Sequence, residues 1–411
     1  MQHKGRLVLL VLVLSLGMAV SGTAAQEDNT LRIGVLTDHS AVLALYGFEL
    51  TQGFELGMEY ATEGTMEIGG RPVEILVRDY ANDADVAAQQ ARELIEVEGV
   101  EVLVGAPSSG VTIGLQQVAQ DFETVLMMGP AAAATLTGEL YNDYSFRACR
   151  NSYQDAYAIA RWAVDNVGDT YVQLAADYAF GQASAEAFEL AFTEMGATFV
   201  QDTIFVPTDT TDFTPYIQEV LGSGADGVIT TWAGASSITL FQQYRELGVF
   251  DQMYSITGFN SNDIVLAWSG PDDIGSVGLI VYHWSLPNNE INDWLLGNHI
   301  LRYHDVPDLF TECGFATAQA IVYGVERAIE NGASAEDATL PENLIPALEG
   351  LEWDGPKGHY VLRAEDHQAL VPMYVARLIT LSGRYQAFYE LVDEVLPDEY
   401  ELPCLAPDRC G

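Results

Sequence analysis

Short apolar strands alternating with amphipathic helices constrain this chain more than any other feature. Leu31–Leu36 reads as a strand, Gly47–Ala61 as a helix, Val73–Asp79 as a strand and Asp83–Val97 as a helix. Val102–Val104, Val111–Phe122 and Val125–Met128 continue as strand, helix and strand. Such alternation across short loops calls for a parallel sheet covered on both faces. The pattern then restarts. Asp155–Asn166, Gly181–Met195, Phe213–Leu221 and Ser236–Leu247 are helical, and Tyr171–Ala175, Phe199–Phe205, Gly227–Thr231 and Met253–Thr257 are strands. Two similar α/β halves in tandem predict two lobes. Gly275–Tyr282 reads as a strand leading back toward the first lobe, Phe315–Asn331 as that lobe's last helix, and Tyr360–Arg363 and Met373–Thr380 as late strands. No low-complexity linker divides the halves, so short hinge segments are expected.

Ahead of this pattern, His3, Lys4 and Arg6 precede an apolar run from Leu7 to Leu14, then small residues ending Thr23-Ala24-Ala25. That order predicts a secretory signal over residues 1–25 and a mature protein outside the cytoplasm. The run is shorter than the roughly 20 apolar residues of a spanning helix. The formal net charge of −42 repels phosphates and anionic headgroups, which disfavours nucleic acid and membrane partners. Its expected meaning is solvation in a salty exterior, where the screening length falls to roughly 3 Å at 1 M salt. Lys357 is the only lysine after the leader. The four cysteines, Cys149, Cys313, Cys404 and Cys410, show no CxxC spacing, and an exported chain favours disulfides over metal. Cys404 with Cys410 would close a short C-terminal loop, leaving Cys149 for Cys313.

Ligands of open parallel sheets bind beyond the carboxyl ends of the strands. Gly105–Gly110 (GAPSSG) follows one strand and opens a helix, so the hydroxyls of Ser108 and Ser109 and free backbone N–H groups there suit a carboxylate. The next strand ends in Met128–Ala134 (MGPAAAA), where Ala131, Ala132 and Ala133 let a ligand touch backbone. In the second half, Asp177–Gln182 offers Tyr178 and Phe180 as an apolar cover, and Trp232 and Asn260 stand at the equivalent ends of later strands. Gly222–Gly227 spells GxGxxG but follows a helix and precedes a strand, the reverse of a dinucleotide site. No GxSxG, HExxH or Walker loop occurs, and the histidines share no ligand spacing. These readings predict no catalytic residues, no metal site and no cofactor; a hydrolase built on Ser108 would lack a base.

Trp353–Gly358 (WDGPKG), continued by Arg363–Gln368 (RAEDHQ) and Met373-Tyr374, together with Thr208–Pro215 (TDTTDFTP), resembles the periplasmic leucine/isoleucine/valine-binding proteins of ABC importers. The resemblance runs from Leu31 to about Leu391. It implies the type I periplasmic binding protein fold: α/β, with two Rossmann-like lobes carrying parallel sheets and joined by a three-crossover hinge. The lobes would be residues 26–149 with 283–356, and 150–282 with 357–395, followed by a tail over 396–411. It further implies ligand carboxylate binding at Ser108 and Ala131–Ala133, with Tyr46 packing on the ligand body. The family often carries threonine where Ala133 stands and tyrosine where Phe180 stands, and the loop Gly258–Asn262 lacks the acid that receives a ligand ammonium. The implied receptor takes a small amino acid or a related carboxylate or amide, in a site more apolar than the family pattern. Hinge closure would bring Phe180, Trp232 and Asn260 over it. Its expected partners are ABC permease subunits, and its expected state a monomer. The same fold also serves sensory proteins, which is the alternative role.

Overall fold

The computed structural model describes residues 29–257, 262–381, 387–399, 402–407 and 409–410. The predicted leader and Asn260 lie outside them. The first half runs β1 (Leu31–Thr37), α1 (Ala44–Ala61), β2 (Glu67–Ile68), β3 (Arg71–Asp79), α2 (Ala84–Glu96), β4 (Val102–Val104), α3 (Ser109–Asp121), β5 (Val125–Met128) and β6 (Ser145–Arg147). The second half runs α4 (Ser152–Asn166), β7 (Thr170–Ala176), α5 (Ala179–Glu194), β8 (Thr198–Phe199), β9 (Ile204–Val206), α6 (Thr214–Gly222), β10 (Gly227–Thr231), α7 (Ser236–Glu246), β11 (Tyr254–Ile256), α8 (Asn262–Trp268) and β12 (Val277–Ile280). Next come α9 (Glu290–Tyr303), α10 (Thr311–Glu330), α11 (Pro341–Leu348), β13 (Glu352–Gly355), β14 (Gly358–Leu362), β15 (Ala369–Leu370), β16 (Met373–Leu381) and β17 (Ala387–Val395).

The first sheet has the order β2-β3-β1-β4-β5-β6, parallel except for the β2 edge. The second has the order β11-β10-β7-β8, with β9 also on β7, and is parallel throughout. Burial explains why these strands were legible: β4, β5 and β10 are buried at every position, as strands covered on both faces must be. The two α/β lobes expected from the alternation are therefore present. The expected strand Phe199–Phe205 is instead two short strands, β8 and β9, separated by the turn around Gln201. Two antiparallel sheets, β12-β16-β17 and β13-β14-β15, complete the fold.

The chain passes three times between the lobes. It leaves β6 for α4, returns after β12 to α9 and α10, which pack on α1, and crosses again between β15 and β16. An isolated bridge from Arg147 to Gln368 holds β15 beside β6, whereas β16 lies beside β12 and α4. Glycines bring α1 and α10 into backbone contact: a Cβ on Gly53 would stand 1.9 Å from the Thr311 carbonyl oxygen, and one on Gly57 2.6 Å from Phe315 Cα. Cys149 pairs with Cys313, tying the first crossing to α10, and Cys404 pairs with Cys410, with Cα separations of 5.3 and 5.6 Å. No helix among the described residues is long and apolar enough to cross a membrane.

Candidate ligand site between the lobes

In both sheets the strand order reverses direction beside the first strand, between β1 and β4 in one lobe and between β7 and β10 in the other. A crevice opens at the carboxyl ends of the strands at such a reversal, because the two following loops depart to opposite faces. Here the two crevices face each other. The cavity between them is lined from the first lobe by Leu43 and Tyr46 beyond β1, Pro107 and Ser109 beyond β4, and Pro130 and Ala132 beyond β5. Arg150 and Phe310 line it from the crossing and the start of α10, and Tyr178, Phe180 and Ala233 from the second lobe. The space between these walls is about 20 Å³, and the lobes touch across it.

Each wall is set by local chemistry. The buried Asp38 carboxylate accepts N–H bonds from Ser40, Ala41 and Leu43 at 3.2, 2.7 and 3.0 Å, which folds the loop delivering Tyr46. The Tyr46 ring packs edge-on against Phe310 at 4.7 Å, and its hydroxyl accepts the Gly234 N–H at 3.0 Å. That bond runs from one lobe to the other. Gly234 has φ +86°, and a Cβ there would lie 2.8 Å from the Val42 carbonyl oxygen, so only glycine allows this approach. Burial pushes the Tyr46 hydroxyl well above its usual range, keeping it a protonated donor.

Ser109 Oγ accepts the Ala133 N–H at 3.3 Å, which leaves the hydroxyl proton to donate. Ser108 takes the N-cap position of α3, but its side chain caps nothing. The 131–133 loop is held from behind by Arg147, fully buried, which donates to the Ala131 and Ala133 carbonyls at 3.1 and 2.9 Å, to Thr137 at 2.7 Å and to Gln368 at 2.6 Å. Arg150, also buried, donates to the Pro130 carbonyl at 3.1 Å, faces Asp155 at 3.4 Å and lies 5.3 Å from the Phe310 ring centre. Burial pushes the Asp155 carboxyl upward, while Arg150, Lys357 and Arg147 pull it down.

The fold brings Tyr46, Ser109, Ala132 and Phe180 together at the cavity. Ser108, Ala131 and Ala133 stand in the same loops but are not among the lining residues. Trp232 departs from expectation. Its ring turns into the second lobe's core, edge-on to Phe213 at 5.0 Å, with its N–H donated to Ser236 at 2.9 Å, and Ala233 faces the cavity instead. Residue reasoning missed Leu43, Pro107, Pro130, Phe310 and above all Arg150. The scarcity of basic residues, 17 lysines and arginines against 59 acids, was the signal that could have found it. A cavity of about 180 Å³ lined by Phe241, Phe250, Trp268 and Tyr389 lies within the second lobe and involves no first-lobe residue. No group of three metal-ligating side chains occurs among the described residues.

A family profile described as periplasmic binding protein matches residues 30–383. The chain is 24% identical over 367 residues to a Leu/Ile/Val-binding protein homolog 6 of Brucella melitensis, covering 87% of this chain and 89% of that one. Among solved structures it is similar to an ABC-type branched-chain amino acid transporter protein of Rhodopseudomonas palustris, at 32% identity and TM-score 0.77, covering 92% of this chain and 100% of that one. A second protein of R. palustris, an ABC transporter solute-binding protein in complex with benzoate, matches at 20% identity and TM-score 0.78, covering 93% and 99%.

Proposed function

The chain belongs to the periplasmic binding protein family, and from that premise we propose that it is the extracytoplasmic substrate-binding component of an ABC importer. It is a binding protein, not an enzyme, as its relatives are. The observation that carries the reading is the cavity itself. Both lobes contribute strand-end residues to one small space, and the Gly234–Tyr46 bond joins them across it.

In this reading a small solute docks on the first lobe, its polar end at Ser109 and the backbone of Ala131–Ala133, with Ser108 at the margin. Tyr46 and Phe180 cover its apolar body as the hinge closes, and Arg150 joins them at the polar end. Since the space between the walls is about 20 Å³, a bound solute takes the place of contacts made here between them. Moving a two-state hinge from 1:99 to 99:1 closed takes about 5.5 kcal/mol of differential affinity. The ligand class is a small carboxylate or related solute, a reading supported by the benzoate complex of a protein with this fold. The lobe division at residues 149/150, 282/283 and 356/357 belongs to the same proposal, amended so that β14 and β15 move with the first lobe, to which Gln368 is bridged. Export by the segment 1–25, a monomeric state and docking of the closed form on permease subunits complete it. Transport is preferred to sensing because the relatives that match are transporter components.

The test is calorimetry of the exported chain against small carboxylates, amides and amino acids, followed by small-angle scattering. Saturable one-to-one binding with a change in radius of gyration supports the reading. Absence of binding to every solute, with folding intact, refutes it.

A further inference from the structure

The cavity walls carry a chemistry that discriminates among carboxylates. Arg150 is the one charged side chain among the described residues that line it, and no aspartate or glutamate does. The hydroxyls of Ser109 and Tyr46 each already accept a backbone N–H, from Ala133 and Gly234, and each keeps its proton to donate to a ligand. Tyr178, kept protonated by burial, adds a further hydroxyl donor. Among the described lining residues the polar groups are therefore one guanidinium and hydroxyls, with no carboxylate. Around it stand Tyr46, Tyr178, Phe180, Phe310 and Leu43, an apolar and aromatic sleeve.

Behind Arg150 the buried charges include Arg147, Lys357, Asp155, Glu312 and Asp366, and Glu49 and Asp308 are buried behind Tyr46. Asp155 and Glu312 both feel Arg150 and Lys357, and Arg147 feels Asp366 and Asp155, so these buried cations are matched by buried carboxylates, none of which lines the cavity. Asp155 faces Arg150 but does not line the cavity, so it fixes the guanidinium without offering an acceptor to a ligand. An anion entering this space meets donors and a positive neighbour. An ammonium entering it loses its water, meets the Arg150 charge and finds no carboxylate among the described lining residues, which is a penalty for a buried charge.

We propose that the site selects small monocarboxylates that lack an α-ammonium group, with the carboxylate taken by Arg150 and Ser109 and the apolar body held by the aromatic sleeve. The proposal rests on the reading of this cavity as the ligand site. Selectivity here is a difference of affinities produced by the lack of a carboxylate among the described lining residues as much as by the guanidinium.

Matched pairs test it: 4-methylpentanoate against leucine, 3-phenylpropanoate against phenylalanine, and 3-phenylpropanamide as the uncharged control, each titrated calorimetrically into the same preparation. At least one deaminated acid is expected to bind 100-fold or more tighter than its amino acid, and the amide to bind at least tenfold more weakly than its acid. Arg150→Met is expected to lower carboxylate affinity at least 100-fold. Because that variant leaves Asp155 buried without its cation, the double variant Arg150→Met/Asp155→Asn is titrated beside it, and a double variant that keeps its fold and loses the acid supports the assignment. Leucine or phenylalanine binding as tightly as its deaminated partner overturns the ligand class while leaving the receptor reading intact. Equal binding of acid and amide, or full affinity in the double variant, overturns the role of Arg150. If no member of any pair binds while another class of solute does, the class is wrong and the receptor stands; if no solute of any class binds, both fall.

Discussion

Replacing Tyr46 by phenylalanine removes one oxygen and keeps the ring against Phe310. In the closed protein the Gly234 N–H then loses its acceptor at 3.0 Å inside a buried contact. In an open protein the same N–H and the same ring face water, so the loss falls on the closed state alone. An unsatisfied buried donor costs about 1–3 kcal/mol. At 1.4 kcal/mol per factor of ten, the closed population falls relative to the open one by about 5- to 150-fold. Amide hydrogen exchange reads this without any ligand, because protection at Gly234 reports local opening. Exchange at Gly234 should quicken by that factor in Tyr46→Phe. Amides in β4 and β7, inside each lobe, should keep their rates, since those ladders do not involve the contact. Unchanged exchange at Gly234 would refute the contact's part in closure. Equal acceleration in β4 and β7 would show general destabilisation and refute the reasoning as well.

Gly53→Ala should destabilise the chain by about 1–3 kcal/mol in denaturant unfolding despite alanine's better helix propensity, because the added Cβ would meet the Thr311 carbonyl oxygen at 1.9 Å. Cys149→Ser with Cys313→Ser should cost about 5 kcal/mol by the loop-entropy estimate for a sequence separation of 164, and the urea midpoint should drop accordingly. Burial pulls His283 down to about 3 from 6.5, so between those values the unfolded chain holds the extra proton and stability falls as pH falls. That one group should remove on the order of 4 kcal/mol between pH 6.5 and 3, and in His283→Asn the acid limb of a urea-midpoint profile should be correspondingly flatter.

The parallel strands were legible because a strand buried on both faces must be apolar throughout, and β4, β5 and β10 stand where their runs of valine, leucine, isoleucine, methionine and threonine placed them. β6 was not, since its Ser-Phe-Arg run carries a charge that only distant acceptors make tolerable in the interior, Gln368 among them. α9 was missed because its buried side includes Asn292 and His299, held by Tyr282 and by the Asp305 carbonyl, which blurs the apolar stripe. The site divides the same way. Strand ends locate a crevice, so Ser109, Ala132 and Phe180 could be named from their neighbours in sequence. Trp232 sits at such an end too, but one residue decides between core and cavity, and Ala233 took the cavity side. Arg150 depends on Pro130, Asp155 and Phe310, which only folding assembles.

The most direct test of the account is a crystal structure of the protein grown with a carboxylate that binds it in solution. That acid is expected between Ser109 and Ala132 on one side and Tyr178 and Phe180 on the other, its oxygens at Arg150. Density for it in the cavity beside Phe241 and Trp268, or on the outer surface, with the space between the lobes unchanged, would contradict it.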